Sequence, residues 1–439
     1  MQVPCEPGLI KRGVLWLLLL GPLFFLSYGL SNSFTAGRDD VGTLVFDWER
    51  KIPLWSWSIV PYWSIDLLYG LSFLLPRTRR EMDLHALRLL SAQLICVACF
   101  LLWPLRFTFE RPELDGVFGW LFDVLMGFDK PYNQAPSLHI ALLVIIWAMF
   151  ARYTRGPWLR GLMHGWMALI GVSVLTTWQH HFIDLPTGAL AGFLCLWLWP
   201  REGALPLRRA GRQPSARRLD LATRYGVGAG LLAALAFTLA GAWLWLLWPG
   251  VALLMVALNY AVFGAAGFQK RADGSLSCAV RWLLAPYLAA TWINSRVWTR
   301  RHPQADEVCD GVWLGRLPAR GEATTFTGVL DLCAELPMKA GPGQHYCSLP
   351  SLDLVALDAE RCREAAATIE ALRGHGPLLV CCALGYSRSA SAVAAWLVLS
   401  GRCKDVDDAE ALIRKARPGV VLYPAHRRML EQLPPGARP

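Results

Sequence analysis

A series of long apolar segments in the first 268 residues constrains the fold more than any other feature of this sequence. A helix needs about 20 residues to cross the hydrocarbon core of a bilayer, because each residue advances the helix by about 1.5 Å. Eight segments approach that length, at residues 13–30, 54–75, 86–105, 137–151, 161–178, 184–199, 226–246 and 250–268. The sequence therefore predicts an all-α polytopic membrane domain over residues 1–268, with about eight transmembrane helices.

The composition agrees with a membrane protein. Of the 439 residues, 54% are hydrophobic and only 17% are charged, which is too apolar for an ordinary soluble domain. The formal net charge of +10 could suggest a nucleic-acid partner. The basic residues, however, stand in short clusters beside the apolar segments, where they set the orientation of a membrane protein. We therefore predict membrane lipids as partners and no nucleic acid.

Basic residues recur in every second loop. If the N-terminus lies inside, the inside segments hold Lys11, Arg77, Arg152, Arg217 and Lys270. Cytoplasmic loops of membrane proteins carry the excess of Lys and Arg. The segments assigned to the outside contain no Cys, as expected if thiols are kept on the reducing side. The sequence thus predicts a multi-pass protein of a bacterial inner membrane, with its C-terminal domain in the cytoplasm.

The sequence pattern changes after about residue 300. Short β-like runs at residues 311–314, 328–332 and 378–381 alternate with helical stretches, which is typical of an α/β domain. We predict such a domain over residues 306–439, with a central sheet flanked by helices. Residues 269–305 would form a linker that contains an interfacial helix.

The segment that starts at Pro377 reads as a buried strand, a tight loop and the start of an apolar helix. Backbone N–H groups and the helix dipole make such a loop an anion site. The same field favours the thiolate of Cys382, and Arg388 can bind two oxygens of a phosphate. Ser389 can donate a hydrogen bond to the sulfur. The other loop residues assigned to phosphate binding are Gly385 and Ser387.

These residues resemble the Cys-x5-Arg signature of the dual-specificity and tyrosine phosphatase family, and the resemblance extends over residues 306–432. It implies that Cys382 is the nucleophile and Arg388 the phosphate clamp. It also implies that Asp353 protonates the leaving oxygen and later activates water. Cys381 stands where the family usually has His. The simpler alternative is that Cys382 is a buried core thiol and Arg388 a solvated charge at a helix start.

A second group of polar residues lies at the ends of apolar segments that face the same side in the predicted topology. Such residues are costly in a membrane unless they have a function. Two His, a carboxylate and Arg side chains are the groups that phosphoryl transfer through a His nucleophile requires. The residues are Arg106, Arg111, His139, His180 and Asp184.

This arrangement resembles the type 2 phosphatidic acid phosphatase superfamily over about residues 54–200. The resemblance implies that His180 is the nucleophile, Asp184 its partner and His139 the general acid. Arg111, with Arg106, would bind phosphate. Leu138 replaces Gly in the Pro-Ser-Gly-His motif, which is similar to the branch with inositol phosphotransferases and sphingolipid synthases. Two positions depart from the family pattern, since Pro104 replaces a Lys and Val174 replaces an Arg.

Together, the resemblances imply a bifunctional membrane phosphatase with a cytoplasmic cysteine site and an outward-facing histidine site. One alternative is a single cytoplasmic phosphatase tethered by a membrane domain that binds lipid without turning it over. Another is a membrane domain that transfers a phospho-headgroup to an alcohol. Neither mechanism requires a metal or an organic cofactor, because Arg and backbone N–H groups supply positive charge. The substrate of the cytoplasmic site is left open between phosphorylated protein and phospholipid.

Overall fold

The computed structural model describes residues 4–203, 205–206, 214–319, 321–434 and 436. Its contacts divide the chain into two compact units, residues 1–201 and 202–439. Each unit has its own packed interior and contains one of the two groups of residues singled out in the sequence. The units are described separately.

The first unit is helical. The described residues form α1 (Leu9–Ala36), α2 (Ile59–Ser72), α3 (Arg79–Leu102), α4 (Gly116–Phe128), α5 (Leu138–Tyr153), α6 (Pro157–Thr176) and α7 (Asp184–Leu198). Side chains cap two of the helix starts, with Thr78 accepting from the backbone N–H of Glu81 and Ser137 from that of Ile140. Helix α4 does not correspond to any of the eight apolar segments predicted from the sequence.

Two glycines allow α7 to pack closely on α5. A Cβ atom at Gly188 would lie 2.5 Å from the carbonyl oxygen of Ser137, and one at Gly192 would lie 2.8 Å from that of Ala141. Glycine is therefore needed at both positions. The close approach lets the backbone N–H of Ser137 donate to the carbonyl oxygen of Asp184 at 3.0 Å, which joins the N-terminal ends of the two helices.

The second unit begins with apolar helices and continues into an α/β domain. Its helices are α8 (Ala216–Leu239), α9 (Leu247–Leu258), α10 (Cys278–Leu283), α11 (Ala285–Trp298), α12 (Ala359–Arg373), α13 (Arg388–Leu399), α14 (Val406–Ala416) and α15 (Pro424–Leu430). A π turn at Asn259–Phe263 and a 3-10 turn at Gly264–Phe268 extend α9. The strands are β1 (Asp306–Cys309), β2 (Val312–Arg316), β3 (Gly328–Cys333), β4 (His345–Ser351) and β5 (Leu378–Cys382).

The five strands form one mixed sheet in the order β1-β2-β5-β3-β4. Strand β1 is antiparallel to β2, and the other neighbours are parallel. All five residues of β5 and all twelve residues of α13 are buried, so the turn between them lies at the centre of the domain. The predicted α/β domain with a central sheet is therefore confirmed.

Five helices among the described residues are long and apolar enough to cross a membrane, namely α1, α3, α6, α8 and the helical segment Gly241–Phe268. Helices α4, α5 and α7 are apolar but shorter. The predicted count of eight transmembrane helices stays a prediction.

The predicted domain boundaries at residues 268 and 305 do not coincide with the division between the two units. Residues 202–305 belong to the same compact unit as the sheet. Lys270, assigned to the linker, is completely buried, and its ammonium lies 2.5 Å from the Asp331 carboxylate on β3. The predicted interfacial helix is two short helices, α10 and α11.

Candidate active sites

The loop between β5 and α13 surrounds the sulfur of Cys382. The backbone N–H of Gly385 and the hydroxyl of Ser389 both donate to Cys382 Sγ at 3.2 Å. Gly385 has a φ of +74°, and a Cβ atom there would lie 2.3 Å from the carbonyl carbon of Gly315. Only glycine fits this position, because the loop folds back against β2. Two hydrogen-bond donors thus converge on this sulfur.

Arg388 is fixed by a buried carboxylate. Its Nη1 donates to Glu335 Oε2 at 2.9 Å and its Nη2 to Glu335 Oε1 at 2.6 Å, and Nη1 also donates to the carbonyl oxygen of Ser351. Burial lowers the pKa of Arg388, but the carboxylates of Glu335 and Asp353 outweigh it and hold that pKa well above its ordinary value. The buried Nε of Arg388 has no hydrogen-bond partner among the described residues. Glu335 thus orients the guanidinium through its two Nη atoms, and Nε remains available to donate to a bound anion.

Asp353 lies beside this guanidinium, with its Oδ1 3.2 Å from Arg388 Nη2. Its side chain is 36% exposed, so the carboxyl is partly buried. This burial raises the pKa of Asp353, the positive charge of Arg388 opposes the rise, and the negative charge of Glu335 adds to it. A carboxyl with a raised pKa retains its proton at higher pH, which suits a general acid.

Glu335 is the residue of this site that the sequence analysis missed. It is 2% exposed and lies two residues after the end of β3, next to the loop at the end of β5. The pKa of Glu335 is lowered, because Arg388 outweighs the effect of burial. The sequence feature that could have identified Glu335 is its position just past the apolar run of β3. The carboxyl ends of parallel strands meet at one edge of a sheet, so an acidic residue there lies near the ends of the neighbouring strands.

The remaining loop residues face different surroundings. Ser387 Oγ lies 3.4 Å from Nε2 of His426 on α15. Cys381 is completely buried in a small core with Cys333 and Leu379. Burial raises the pKa of the Cys381 thiol well above its ordinary value. Cys381 is therefore an apolar core residue, while Cys382 points into the loop.

The first unit brings together His180, Asp184 and Ser137. His180 Nδ1 lies 3.0 Å from Asp184 Oδ2, and its Nε2 lies 3.2 Å from Ser137 Oγ. The same Asp184 oxygen accepts from the backbone N–H of His181. The carboxylate therefore fixes the orientation of the His180 ring, as an orienting carboxylate does for a catalytic His.

His139 shares a cavity with His180. The cavity has a volume of about 340 Å³, and its lining includes the carboxylates of Asp66 and Asp129. The His139 ring stacks on Tyr62 with the ring centroids 4.2 Å apart. Its buried Nε2 has no partner among the described residues. The two histidines thus line one cavity, whose walls are mostly apolar.

Arg106 and Arg111 line a neighbouring cavity of about 690 Å³, and Asp129 lines both cavities. Arg111 Nη2 donates to the carbonyl oxygen of Trp178 at 3.0 Å, and its guanidinium lies over the Phe122 ring. The buried Nε of Arg111 has no partner among the described residues. The structure therefore brings the histidines together, while the arginines line the adjoining cavity.

A second buried pair, His181 and Glu49, was missed in the sequence. His181 Nδ1 lies 3.0 Å from Glu49 Oε2, which also accepts from the backbone N–H of Phe182. Burial raises the pKa of Glu49, but the hydrogen bonds from His181 and from backbone amides outweigh it and lower that pKa. This pair ties the segment before α7 to the turn at Asp47–Lys51.

A comparison with models of known protein families finds no match for this chain. A comparison with curated protein sequences finds none either. Solved structures resemble part of the chain. Human DUSP28 is 25% identical, over 29% of this chain and 94% of its own, with a TM-score of 0.27.

Tk-PTP in its active form is 28% identical, over 30% of this chain and 97% of its own, with a TM-score of 0.28. PTPMT1 in complex with PI(5)P is 18% identical, over 29% of this chain and 93% of its own, with a TM-score of 0.27. These matches span less than a third of the chain and have low TM-scores.

Proposed function

We propose that residues 306–439 form a cysteine-dependent phosphatase that hydrolyses phosphomonoesters. The supporting observation is that the sulfur of Cys382 receives two hydrogen bonds in the loop that ends at Arg388. Glu335 holds the Arg388 guanidinium, and Nε of this guanidinium has no partner within the part of the chain that the structure describes. A nucleophile, an anion-binding loop and an adjacent acid, Asp353, are the groups this reaction requires.

The first step forms a bond between Cys382 Sγ and phosphorus and breaks the bond from phosphorus to the leaving oxygen. Asp353 gives its proton to that oxygen. The Arg388 guanidinium and the loop N–H groups stabilise the charge on the other phosphate oxygens. The product of this step is a phosphocysteine.

The second step returns the enzyme to its starting state. Asp353, now ionised, takes a proton from water as the water oxygen bonds to phosphorus and the sulfur–phosphorus bond breaks. Ser389 stabilises the departing thiolate through its hydrogen bond of 3.2 Å. Inorganic phosphate leaves, and Asp353 is protonated again.

The test is Cys382→Ser in the full-length protein, with p-nitrophenyl phosphate as substrate. We expect turnover to fall to the detection limit, because a hydroxyl has far less anion available near neutral pH than a thiol. Cys278→Ser is the matched control, since Cys278 is exposed and stands at the start of α10, outside the loop. Retained turnover in Cys382→Ser would overturn the assignment.

For the first unit we propose a second activity, His-dependent hydrolysis or transfer of lipid phosphate at the outer face of the membrane. The supporting observation is that His180, oriented by Asp184, shares a cavity with His139, whose Nε2 has no hydrogen-bond partner in the described part of the chain. His180 would attack phosphorus, and His139 would protonate the leaving group. Arg106 and Arg111 would bind phosphate from the adjoining cavity.

The histidine variants test this activity. We expect His180→Ala and His139→Ala each to abolish the release of phosphate from phosphatidate, in a Cys382→Ser background that silences the other site. His164→Ala is the matched control, because His164 lies on α6 and does not line the cavity. A new lipid without free phosphate would indicate transfer to an acceptor alcohol. Unchanged turnover in both variants would leave a non-catalytic lipid-binding membrane domain around a single phosphatase.

A further inference from the structure

The catalytic elements of the second unit are hydrogen-bonded to its apolar helices. Tyr260, in the turn that extends α9, donates its hydroxyl to the carbonyl oxygen of Asp353 at 3.0 Å. Ser295 on α11 donates to the carbonyl oxygen of Ala383, the residue after the nucleophile, at 2.5 Å. Lys270 donates to the carbonyl oxygens of Cys333 and Leu336, on either side of Glu335. The backbone at Asp353, the backbone at Ala383 and the segment around Glu335 are thus each hydrogen-bonded to a residue between Tyr260 and Ser295.

These helices present apolar side chains on their outer surface. On α8, Val227, Leu231 and Phe237 are between 57% and 67% exposed. Helix α8 and the segment Gly241–Phe268 are both long and apolar enough to cross a membrane. Such exposed apolar faces are expected of helices surrounded by lipid.

Tyrosines from three of these segments lie beside the catalytic carboxylates. The Tyr225 ring on α8 has its centroid 5.5 Å from that of Tyr260 and 6.0 Å from that of Tyr287 on α11. Each of the three is close enough to Glu335 and Asp353 to interact electrostatically with both. The catalytic centre therefore lies against the helices and not at the far side of the α/β domain.

An open cavity of about 760 Å³ adjoins the catalytic loop. Its wall combines the start of α8 at residues 215–217, the segment 354–358 that follows Asp353, and residues of α15. Its lining is mostly apolar and includes two basic residues, Arg217 and Arg428, and one acidic residue, Asp358. His426, which contacts Ser387 of the loop, also lines it. An apolar recess with cations beside a phosphate loop suits a molecule that carries an anion and hydrocarbon together.

We infer that the substrate of the Cys382 site is a phosphomonoester carried on a membrane lipid. This inference rests on the proposed phosphatase function. The phosphate binds in the loop, the lipid backbone occupies the cavity beside Arg428, and the acyl chains remain along the exposed face of α8. A lipid reaches this site without leaving the bilayer, whereas a phosphoprotein must approach a centre covered by helices. The products are a lipid alcohol and inorganic phosphate.

The test compares substrates on the full-length protein in nanodiscs, in a His180→Ala background that silences the other site. Phosphatidate and a phosphatidylinositol monophosphate are the lipid probes, and a phosphotyrosyl peptide and p-nitrophenyl phosphate are the soluble ones. We expect kcat/KM for at least one lipid to exceed that for the peptide by roughly tenfold or more. If p-nitrophenyl phosphate is turned over and kcat/KM for the peptide equals or exceeds that for both lipids, the inference of a lipid substrate is wrong. The proposed phosphatase function would still stand. Absence of any turnover that depends on Cys382 would overturn the proposed function itself.

A pair of arginine variants tests the cavity. Arg428→Gln removes a charge from the cavity wall, and Arg363→Gln removes one from an exposed position on α12 that does not line it. We expect the ratio of lipid turnover to p-nitrophenyl phosphate turnover to fall several-fold in Arg428→Gln and to stay unchanged in Arg363→Gln. An unchanged ratio in Arg428→Gln, or an equal fall in both variants, would contradict the role of the cavity.

Discussion

At the scale of single residues, the Cys382 site combines charged groups that are hydrogen-bonded within the protein with groups that can still bind substrate. Glu335 occupies both Nη atoms of Arg388 and leaves its Nε unpartnered among the described residues. A buried Arg without such a carboxylate would be an uncompensated charge, which costs about 3–5 kcal/mol. Glu335 thus positions the guanidinium in the absence of phosphate, while Asp353 touches the same group from the substrate side.

The raised pKa of Asp353 leads to a prediction about pH. Burial shifts that pKa upward, so the protonated form needed in the first step persists to higher pH, and the rate falls as pH rises through it. We expect Asp353→Asn to remove this alkaline fall. The substitution should also slow the hydrolysis of alkyl phosphates, whose leaving oxygen needs a proton, far more than the hydrolysis of p-nitrophenyl phosphate.

The measurement is the pH profile of kcat for both substrates in the two proteins. An unchanged alkaline limb in Asp353→Asn would show that another group supplies the proton. An equal loss for the two substrates would show that Asp353 acts only on folding or binding.

At the scale of elements, the turn from β5 to α13 positions the sulfur, and Gly385 makes this turn feasible. We expect Gly385→Ala to abolish phosphatase activity, because its Cβ would lie 2.3 Å from the backbone of β2. Gly343→Ala is the matched control, since Gly343 also has a φ of +74° but has open space around it. It should lose only about 1 kcal/mol of stability, the cost of a left-handed conformation for Ala, and retain activity.

The two glycine variants are compared by turnover of p-nitrophenyl phosphate and by chemical denaturation. Similar, small effects in both would mean that the loop can shift away from β2. The geometry of the anion site would then be less constrained than the contact between Gly385 and Gly315 indicates.

The sequence predicted those strands and motifs whose pattern lies within a few consecutive residues. The runs at 328–332 and 378–381 correspond to β3 and β5, because continuous apolar segments report burial directly. Strand β4 contains Pro350, and Leu349 is the one buried residue in it, so no such run marked it. Cys382, Arg388 and Ser389 lie within eight residues and could be read as one motif.

Contacts across the chain could not be read in the same way. Glu335 is 53 positions from Arg388, and Glu49 is 132 positions from His181. Glu49 has no local pattern that separates it from a solvated surface residue, and the position of Glu335 just past β3 does not identify its partner. Only the fold shows that each is paired with a buried cation or imidazole.

At the scale of the whole molecule, the chain places two candidate phosphoryl-transfer sites in two separate compact units. Residues 202–305 belong to the same compact unit as the sheet. The buried Lys270 joins the end of the apolar segment to the sheet through Asp331 and two carbonyl oxygens. Burial lowers the pKa of Lys270, but the Asp331 carboxylate outweighs it and the pKa is raised, so the residue remains charged.

We expect Lys270→Ala to destabilise the second unit by about 3–5 kcal/mol, because it leaves the Asp331 carboxylate buried without its partner. Lys339→Ala is the matched control, since Lys339 is exposed on the same domain. The free energy of unfolding of the full-length protein in detergent is the measurement. Equal stability of the two variants would mean that residues 202–305 do not contribute to the stability of the domain.

Identification of the phosphorylated enzyme intermediate tests the account most directly. The protein, in a His180→Ala background, is mixed with p-nitrophenyl phosphate carrying labelled phosphorus, quenched within one turnover and digested for mass spectrometry. We predict label on the peptide that contains Cys382, joined through sulfur, and none in Cys382→Ser. Label on another residue, or turnover without any labelled cysteine, would contradict the proposed mechanism.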